Sequence, residues 1–200
     1  LWLMIGRHRA QEKFEAAEGS LNQHMYAQAI EQFELFIREY PNDPKTGEAR
    51  AKLGTARVEK ALVGTTPKWE EGLKELEAII KLHRDTEEFK QSDSEIRKFV
   101  GDYAAKISLG AAEQTKKTGQ RNYLIPSEQA LRLLEQHAPS DPPPTEKITQ
   151  IKLTVRAAET TATRYETFVT TKAEITSALE KHAPQEALAA RRKLLERYAD

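Results

Sequence analysis

No cysteine occurs in the 200 residues. Disulfides, zinc knuckles and thiol nucleophiles are thereby excluded, while the redox compartment stays open. No run reaches the roughly 20 apolar residues that a membrane-spanning helix needs. The apolar opening Leu1-Trp2-Leu3-Met4-Ile5-Gly6 is far too short and gives way at once to Arg7-His8-Arg9. Neither sign of charge prevails, with 31 Lys and Arg against 31 Asp and Glu, and each half balances separately. Without a basic stripe, nucleic acid is not expected as a main partner, and there is no acidic tail to act as a solvating segment. A glycine-rich phosphate loop and a G-x-S-x-G elbow are both missing. Of the histidines His8, His24, His83, His137 and His182, no two stand three or four residues apart. No helix would then present a paired ligand set, and neither a metal nor a cofactor is expected.

What remains is 38% hydrophobic and 31% charged residues, the balance of amphipathic helices with solvated outer faces. Ala10, Phe14, Ala17 and Leu21 recur at helical spacing over 10–22, and Tyr26, Ala29, Ile30, Phe33, Phe36, Ile37 and Tyr40 do so over 25–40. Pro41-Asn42-Asp43-Pro44 stops the second stretch, because proline lacks the N–H and disfavours helix before it. Two helices around Asn22-Gln23-His24 make an αα-hairpin.

Ala17, Tyr26, Ala29, Phe33, Phe36 and Pro41 fall at the spacings of the tetratricopeptide repeat. The stretch from about residue 10 to 62 resembles repeats of bacterial envelope proteins, such as outer-membrane assembly lipoproteins. His24 departs from the pattern, standing where that family often has Gly, and Ser20 stands where it often has Tyr. The resemblance implies an interaction scaffold on a periplasmic face.

The end of the second helix recurs. Phe36-Ile37-Arg38-Glu39-Tyr40 aligns with Ile79–His83, Leu133–His137 and Leu194–Tyr198, each two apolar residues, two mostly polar ones and a ring. Fourteen residues before each ring stand Tyr26, Trp69, Tyr123 and Pro184, and three further on stand Ala29, Gly72, Pro126 and Ala187. The pattern predicts second helices near 25–40, 68–84, 126–138 and 185–199, with Pro126 at a first helical position and Trp69 in an inter-helix core. His83 and His137 take the ring position and are expected to cap hydrophobic faces. The ring-to-ring spacings of 43, 54 and 61 residues exceed the roughly 34 of the standard repeat, so the first helices must lengthen along the chain. Those are expected over 46–62, over 86–117 with a seam of Phe89, Ile96, Phe99, Tyr103 and Ile107, and over 145–182. The last carries Ile148, Ile151, Val155, Ala158, Ala162, Tyr165 and Val169 at coiled-coil-like spacing. It also holds ten threonines, poor helix formers, and a break is expected near Thr170-Thr171.

The expected fold is therefore all-α, a right-handed solenoid of about four antiparallel helix pairs with elongated later first helices. Residues 7–138 hold three pairs, Pro139–Pro144 is a proline-rich linker, and 145–200 forms the fourth pair. Residues 1–6 read as the end of a truncated membrane anchor, with Trp2 at the interface and Arg7 and Arg9 among headgroups. The alternative is an apolar N-terminal turn packed on the first repeat. The chain opens with Leu rather than Met and is expected to be a piece of a longer protein. The positive flank favours a cytoplasmic domain. The resemblance implies a periplasmic one and ranks ahead of it, with a cytoplasmic face or a soluble cytoplasmic protein as alternatives.

The carboxylates Glu70/Glu71, Glu87/Glu88 and Asp93/Glu95 stand among Lys and Arg, with no pocket in view to shift a pKa, and the chain reads as non-enzymatic. A stack of helix pairs leaves a concave surface for a protein or peptide partner. Arg50, Lys52, Arg57 and Lys60 are the candidate groove residues, placed to hold an acidic peptide. Glu18 stands where such clamps want a neutral residue. Two other readings stand beside the scaffold. One is a self-associating, coat-like solenoid driven by the long seams, and the other is a regulatory arm of a larger protein.

Overall fold

The computed structural model describes residues 2–91, 94–139 and 144–198, with side chains from His8 onward except Glu88. Among these residues every regular element is a helix, and no strand occurs. Helix α1 spans Trp2–Asn22, α2 Tyr26–Glu39, α3 Thr46–Leu62, α4 Trp69–His83, the single turn α5 Glu87–Lys90, and α6 Glu95–Thr118. A 3-10 turn over Arg121–Tyr123 leads into α7 (Leu124–His137), which is followed by α8 (Thr145–Glu180) and α9 (Pro184–Arg197). Each long helix packs on the next in the chain, and α8 also lies against α6.

The breaks follow from local chemistry. Helix α1 closes in a Schellman turn. The Met25 N–H donates to Ser20 C=O at 2.9 Å and the His24 N–H to Leu21 C=O at 3.0 Å, which requires a left-handed residue between them. His24 fills that position with φ +59°, the place where the repeat pattern has Gly. The junction of α8 and α9 repeats the turn, with Ala183 donating to Ala178 C=O at 2.8 Å, His182 to Leu179 C=O at 3.0 Å, and His182 at φ +55°. Gly119 closes α6 at φ +72°. Pro184 opens α9, where its missing N–H needs no intrahelical partner.

Two cores result. Phe14, Phe33 and Phe36 are fully buried with Ala17, Ala29, Ala49 and Ala56 where α1, α2 and α3 meet. The Phe14 ring meets the other two edge to face, lying 6.0 Å from Phe33 and 5.6 Å from Phe36. The larger core gathers Val58, Leu76, Val100, Ile107, Leu124, Leu134, Ile151 and Ala158 from α3 through α8. Ala29, Gly72, Pro126 and Ala187, the small position of each second helix, are all buried. A Cβ on Gly72 would come within 2.7 Å of the Leu62 side chain. Where α6 meets α7, Ser108 Oγ donates to Ser127 C=O at 2.8 Å and Ser127 Oγ to Ser108 C=O at 2.7 Å. This satisfies two hydroxyls that would otherwise be buried at a cost of about 1–3 kcal/mol each.

Several expectations are corrected. The first helix begins at Trp2 rather than near residue 10. Pro126 occupies the third helical position of α7 rather than the first, because Leu124 and Ile125 already wind behind the 3-10 turn. The predicted seam over 86–117 is split, with Phe89 on α5 and a new start behind Ser94, whose hydroxyl accepts the Arg97 N–H. Its buried stripe is the smaller Val100, Ala104, Ile107 and Ala111, while Ile96, Phe99 and Tyr103 stay half-exposed. Helix α8 passes Thr170-Thr171 unbroken. Thr149, Thr154, Thr160, Thr161, Thr167 and Thr176 each donate to the carbonyl four residues back, so the hydroxyls join the helix instead of competing with it. The expected lengthening runs from α3 at 17 residues through α6 at 24 to α8 at 36, but α1 at 21 is longer than α3, so it does not run the whole chain. Of the predicted linker, residues 140–143 lie outside the described residues, as do Asp93 and the side chains of Leu1–Gly6 and Arg7.

Candidate protein-binding groove

Helices α3, α4 and α6 enclose a cleft of about 700 Å³ lined by Ala51, Lys52 and Thr55 of α3, Ile79 and His83 of α4, and Ile96 and Phe99 of α6, with Thr86 between them. Beside it, a Cβ on Gly54 of α3 would stand 2.6 Å from Cγ1 of Ile79 on α4, so the glycine lets the Ile79 side chain lie close against α3. The Phe99 ring lies against Tyr103, with centroids 4.4 Å apart and planes tilted by 41°. The apolar walls are thus Ile79, Ile96 and Phe99, with Glu48, Lys52, Glu95 and His83 at the rim.

The rim charges are largely spoken for. Lys52 donates to Glu18 of α1 at 2.7 Å and lies 3.6 Å from Glu48. Glu18, expected to oppose a carboxylate clamp, is therefore the group that neutralises the clamp's lysine. Two turns further along α3, Glu59 accepts from the Tyr103 hydroxyl and pairs with Lys106 at 3.2 Å. Burial, then the Glu59 hydrogen bond, pushes the Tyr103 hydroxyl well above the ordinary tyrosine range.

The four predicted basic residues are not brought together. Lys52 reaches across to α1, whereas Arg57 binds Glu34 of α2 at 2.8 Å and lies 3.8 Å from Glu75 of α4. Arg50 and Lys60 are exposed. Positions 50, 57 and 60 fall on one side of a 3.6-residue helix and position 52 on the other. Of the four, only Lys52 lines the cleft. The residues sequence reasoning missed as a site are Ile79, Ile96 and Phe99. Their spacing puts Ile96 and Phe99 on a packing seam, and periodicity alone does not tell an apolar wall open to solvent from one covered by a neighbour.

The ring positions divide. His137 is half-buried and its ring lies 5.7 Å from Phe89. Burial and the nearby Arg97 charge lower its pKa. That is the expected cap on a hydrophobic face. His83 instead lines the cleft. Trp69 packs half-buried over Gly110, where a Cβ would meet the indole at 2.2 Å. Its indole N–H is buried without a hydrogen-bond partner, and beside it a second hollow of about 480 Å³ opens between the starts of α4 and α7. Four charged residues, Lys68, Glu70, Glu71 and Lys74, share that hollow with Trp69, Tyr123, Pro67 and Pro126, so the α3–α4–α6 cleft is the better candidate for gripping apolar side chains.

Among the described residues no cluster of three or more His, Asp or Glu could hold a metal ion, and no helix is long and apolar enough to cross a membrane. No family model, curated protein or solved structure matches this chain.

Proposed function

We propose that the chain is a non-enzymatic protein-interaction scaffold. In this reading its helices form four tetratricopeptide-like pairs, α1/α2, α3/α4, α6/α7 and α8/α9, stacked as a right-handed solenoid. Support comes from the recurrent buried small position in every second helix and from the identical turns closing the first and last pairs. The observation that carries the function is the apolar cleft with Ile79, Ile96 and Phe99 in its walls, lying between two first helices and already charge-balanced at its rim. Its volume suits one or two bulky apolar side chains of a bound segment, held by burial rather than by a carboxylate clamp. The partner is then a protein or peptide with an exposed apolar anchor.

The continuity of α1 with the opening apolar run supports a membrane tether at the N-terminus. With the sequence resemblance, it favours a bacterial envelope location and a periplasmic domain. A cytoplasmic face is the alternative.

The test is selection of displayed peptides against the immobilised chain, followed by Phe99→Glu and Ile96→Glu. Both residues are half-exposed, so circular dichroism should be unchanged while binding of the selected peptides falls at least tenfold. Peptides that bind the variants as well as the parent would overturn the cleft as the site. A self-associating solenoid is the second reading, favoured by the exposed Phe168, Leu179, Leu188 and Leu195. Sedimentation equilibrium over a concentration series separates the two, since the scaffold reading requires a monomer.

A further inference from the structure

Four of the apolar residues left exposed on α8 and α9, Phe168, Leu179, Leu188 and Leu195, fall at related positions. Because the same Schellman turn joins α1 to α2 and α8 to α9, adding 158 to a residue number in the first pair gives its counterpart in the last. Ala29 falls on Ala187, both buried, and Tyr40 on Tyr198. Ile30 falls on Leu188 and Ile37 on Leu195. In α2, Ile30 and Ile37 pack against the core to which α3 contributes Ala49, Ala56 and Leu53. Their counterparts in α4, Leu73 and Ile80, are buried in the core that α6 shares. In α7 the counterparts Ser127 and Leu134 are also buried, Ser127 through its paired hydrogen bonds with Ser108 of α6. In the first three pairs, then, this stripe of the second helix is buried or half-buried. At the fourth, Leu188 is 54% and Leu195 55% exposed. The first helix of the pair behaves alike: Ala10 is buried and Leu21 half-buried, but their counterparts Phe168 and Leu179 are exposed.

The charged residues one helical turn from these four are all basic. Arg191 and Arg192 stand three or four residues from both Leu188 and Leu195, hence beside them on the helix surface. Lys172 takes the place that Phe14 has in the first pair, and Arg191 that of Phe33. All three are exposed, and none makes an ion pair among the described residues. A second copy seated two-fold on this face would bring three cations against the same three, which opposes association.

We propose that the α8/α9 face docks an amphipathic helix of a partner protein, apolar along one stripe and acidic at its edges. The helix lies where α3 lies on α1/α2, with its apolar stripe on Phe168, Leu179, Leu188 and Leu195 and its carboxylates on Lys172, Arg191 and Arg192. This inference rests on the helix-pair reading but uses a surface separate from the α3–α4–α6 cleft.

The probe is a fluorescein-labelled 18-residue synthetic helix with Leu and Ala at the spacing that Ala49, Leu53 and Ala56 show in α3 and Glu on the flanks. A twin carries Lys in place of Glu. Anisotropy titrations with the whole chain should show saturable binding of the Glu peptide and at least tenfold weaker binding of the Lys twin. Leu188→Glu with Leu195→Glu should weaken the Glu peptide more than tenfold. Arg191→Glu with Arg192→Glu should reverse the preference between the twins. Both double variants change exposed residues, and unaltered melting confirms that they fold. Equal binding of the twins, or indifference to the leucine substitutions, overturns the proposal. So does a dimer that the leucine substitutions dissolve, which would assign the face to a second copy. Loss of peptide binding in Phe99→Glu with full binding in the leucine variant would place the peptide in the cleft, and the end face would fall while the scaffold reading stood.

Discussion

The first and last helix hairpins share one turn geometry and differ in almost everything that turn holds together. Between α1 and α2 lie Phe14, Phe33 and Phe36, fully buried, with the Phe14 ring edge to face against the other two. Between α8 and α9 the buried residues are Thr171, Ala178 and Ala187, and Lys172 and Arg191 take two of the ring positions. At about 25 cal/mol per Å² of apolar surface, three phenyl rings outweigh two methyls and a threonine many times over. The first pair can hold itself together by burial. The last depends on α6, α7 and the turn between them, which reach α8 through Ile151, Val155 and Ala158 and, at Gly119 and Arg121, as far as Tyr165 and Glu166. A hairpin turn therefore sets the path of the chain, and the side chains it brings into register decide whether the pair is a stable unit or an open surface.

The largest expected effect separates the two directly. Phe33→Ala empties a fully buried ring position and should cost about 3–5 kcal/mol, read as a fall in the urea midpoint. Leu188→Ala, at the exposed stripe of the last pair, should stay within about 0.5 kcal/mol. If both cost the same, Leu188 is covered in solution and the contrast between the pairs fails.

The second test targets the place where α8 leaves its support. Gly119 holds φ +72°, and a Cβ there would stand 2.5 Å from Tyr165 Cβ. Two Cβ atoms cannot rotate apart, so Gly119→Ala must shift the helix itself, at a cost of about 1–3 kcal/mol. Hydrogen exchange should quicken in α8 and α9 and stay unchanged in α1 and α2. Uniform loosening of the whole chain would mean that the two ends are one cooperative unit.

A smaller effect compares the turns themselves. His24 and His182 both occupy the left-handed region, which is unfavourable by about 1–2 kcal/mol for a residue with a Cβ, part of which glycine returns as lost chain entropy. His182→Gly should therefore stabilise by about 0.5 kcal/mol in thermal melts. His24→Gly should gain less, because the His24 ring shares a 2.9 Å hydrogen bond with the Tyr26 hydroxyl. Equal gains would show that this bond contributes nothing to the first turn.

How far these differences could be read in advance depended on what each signal reports. Helical spacing and prolines marked α3 over 46–62 and placed the second helices within two residues of their observed limits, because those limits are local chemistry. The ring-and-small-residue register found Ala29, Gly72, Pro126 and Ala187, all of which are buried. Spacing did not reveal which neighbour covers a face. Ile96 and Phe99 looked like core and line a cleft, and Val169 looked like a seam and is 45% exposed. The basic residues of α3 failed for a similar reason. Their types and rough proximity were visible, but their partners Glu18, Glu34 and Glu75 lie on three other helices and turn Lys52 and Arg57 in opposite directions. Thr170-Thr171 misled because threonine's low helix propensity is a weak prior that context overrides.

The smallest effect concerns the one bidentate tie across the last region. Arg121, in the turn before α7, donates to Glu166 of α8 at 2.8 and 3.0 Å and to Thr163 Oγ1 at 3.0 Å. The hydrogen bond from Arg121 holds the Glu166 carboxyl below the ordinary range and Glu166 raises the guanidinium. For a depressed carboxyl the sign is fixed: the contribution is complete above the unfolded value and is lost as pH falls through the folded one. Both groups face solvent, so the effect is screened and should be smaller than any above. Glu166→Gln should lower the melting temperature slightly at pH 7 and low salt. The difference from the parent should vanish in 1 M salt, where the Debye length is about 3 Å, and also in acid below the ordinary carboxylate range. A difference that persists in both conditions would mean that Glu166 positions α8 by packing. The second half of α8 would then be held by more than Tyr165 over Gly119, and the last pair would be less dependent on its neighbours than its thin core implies.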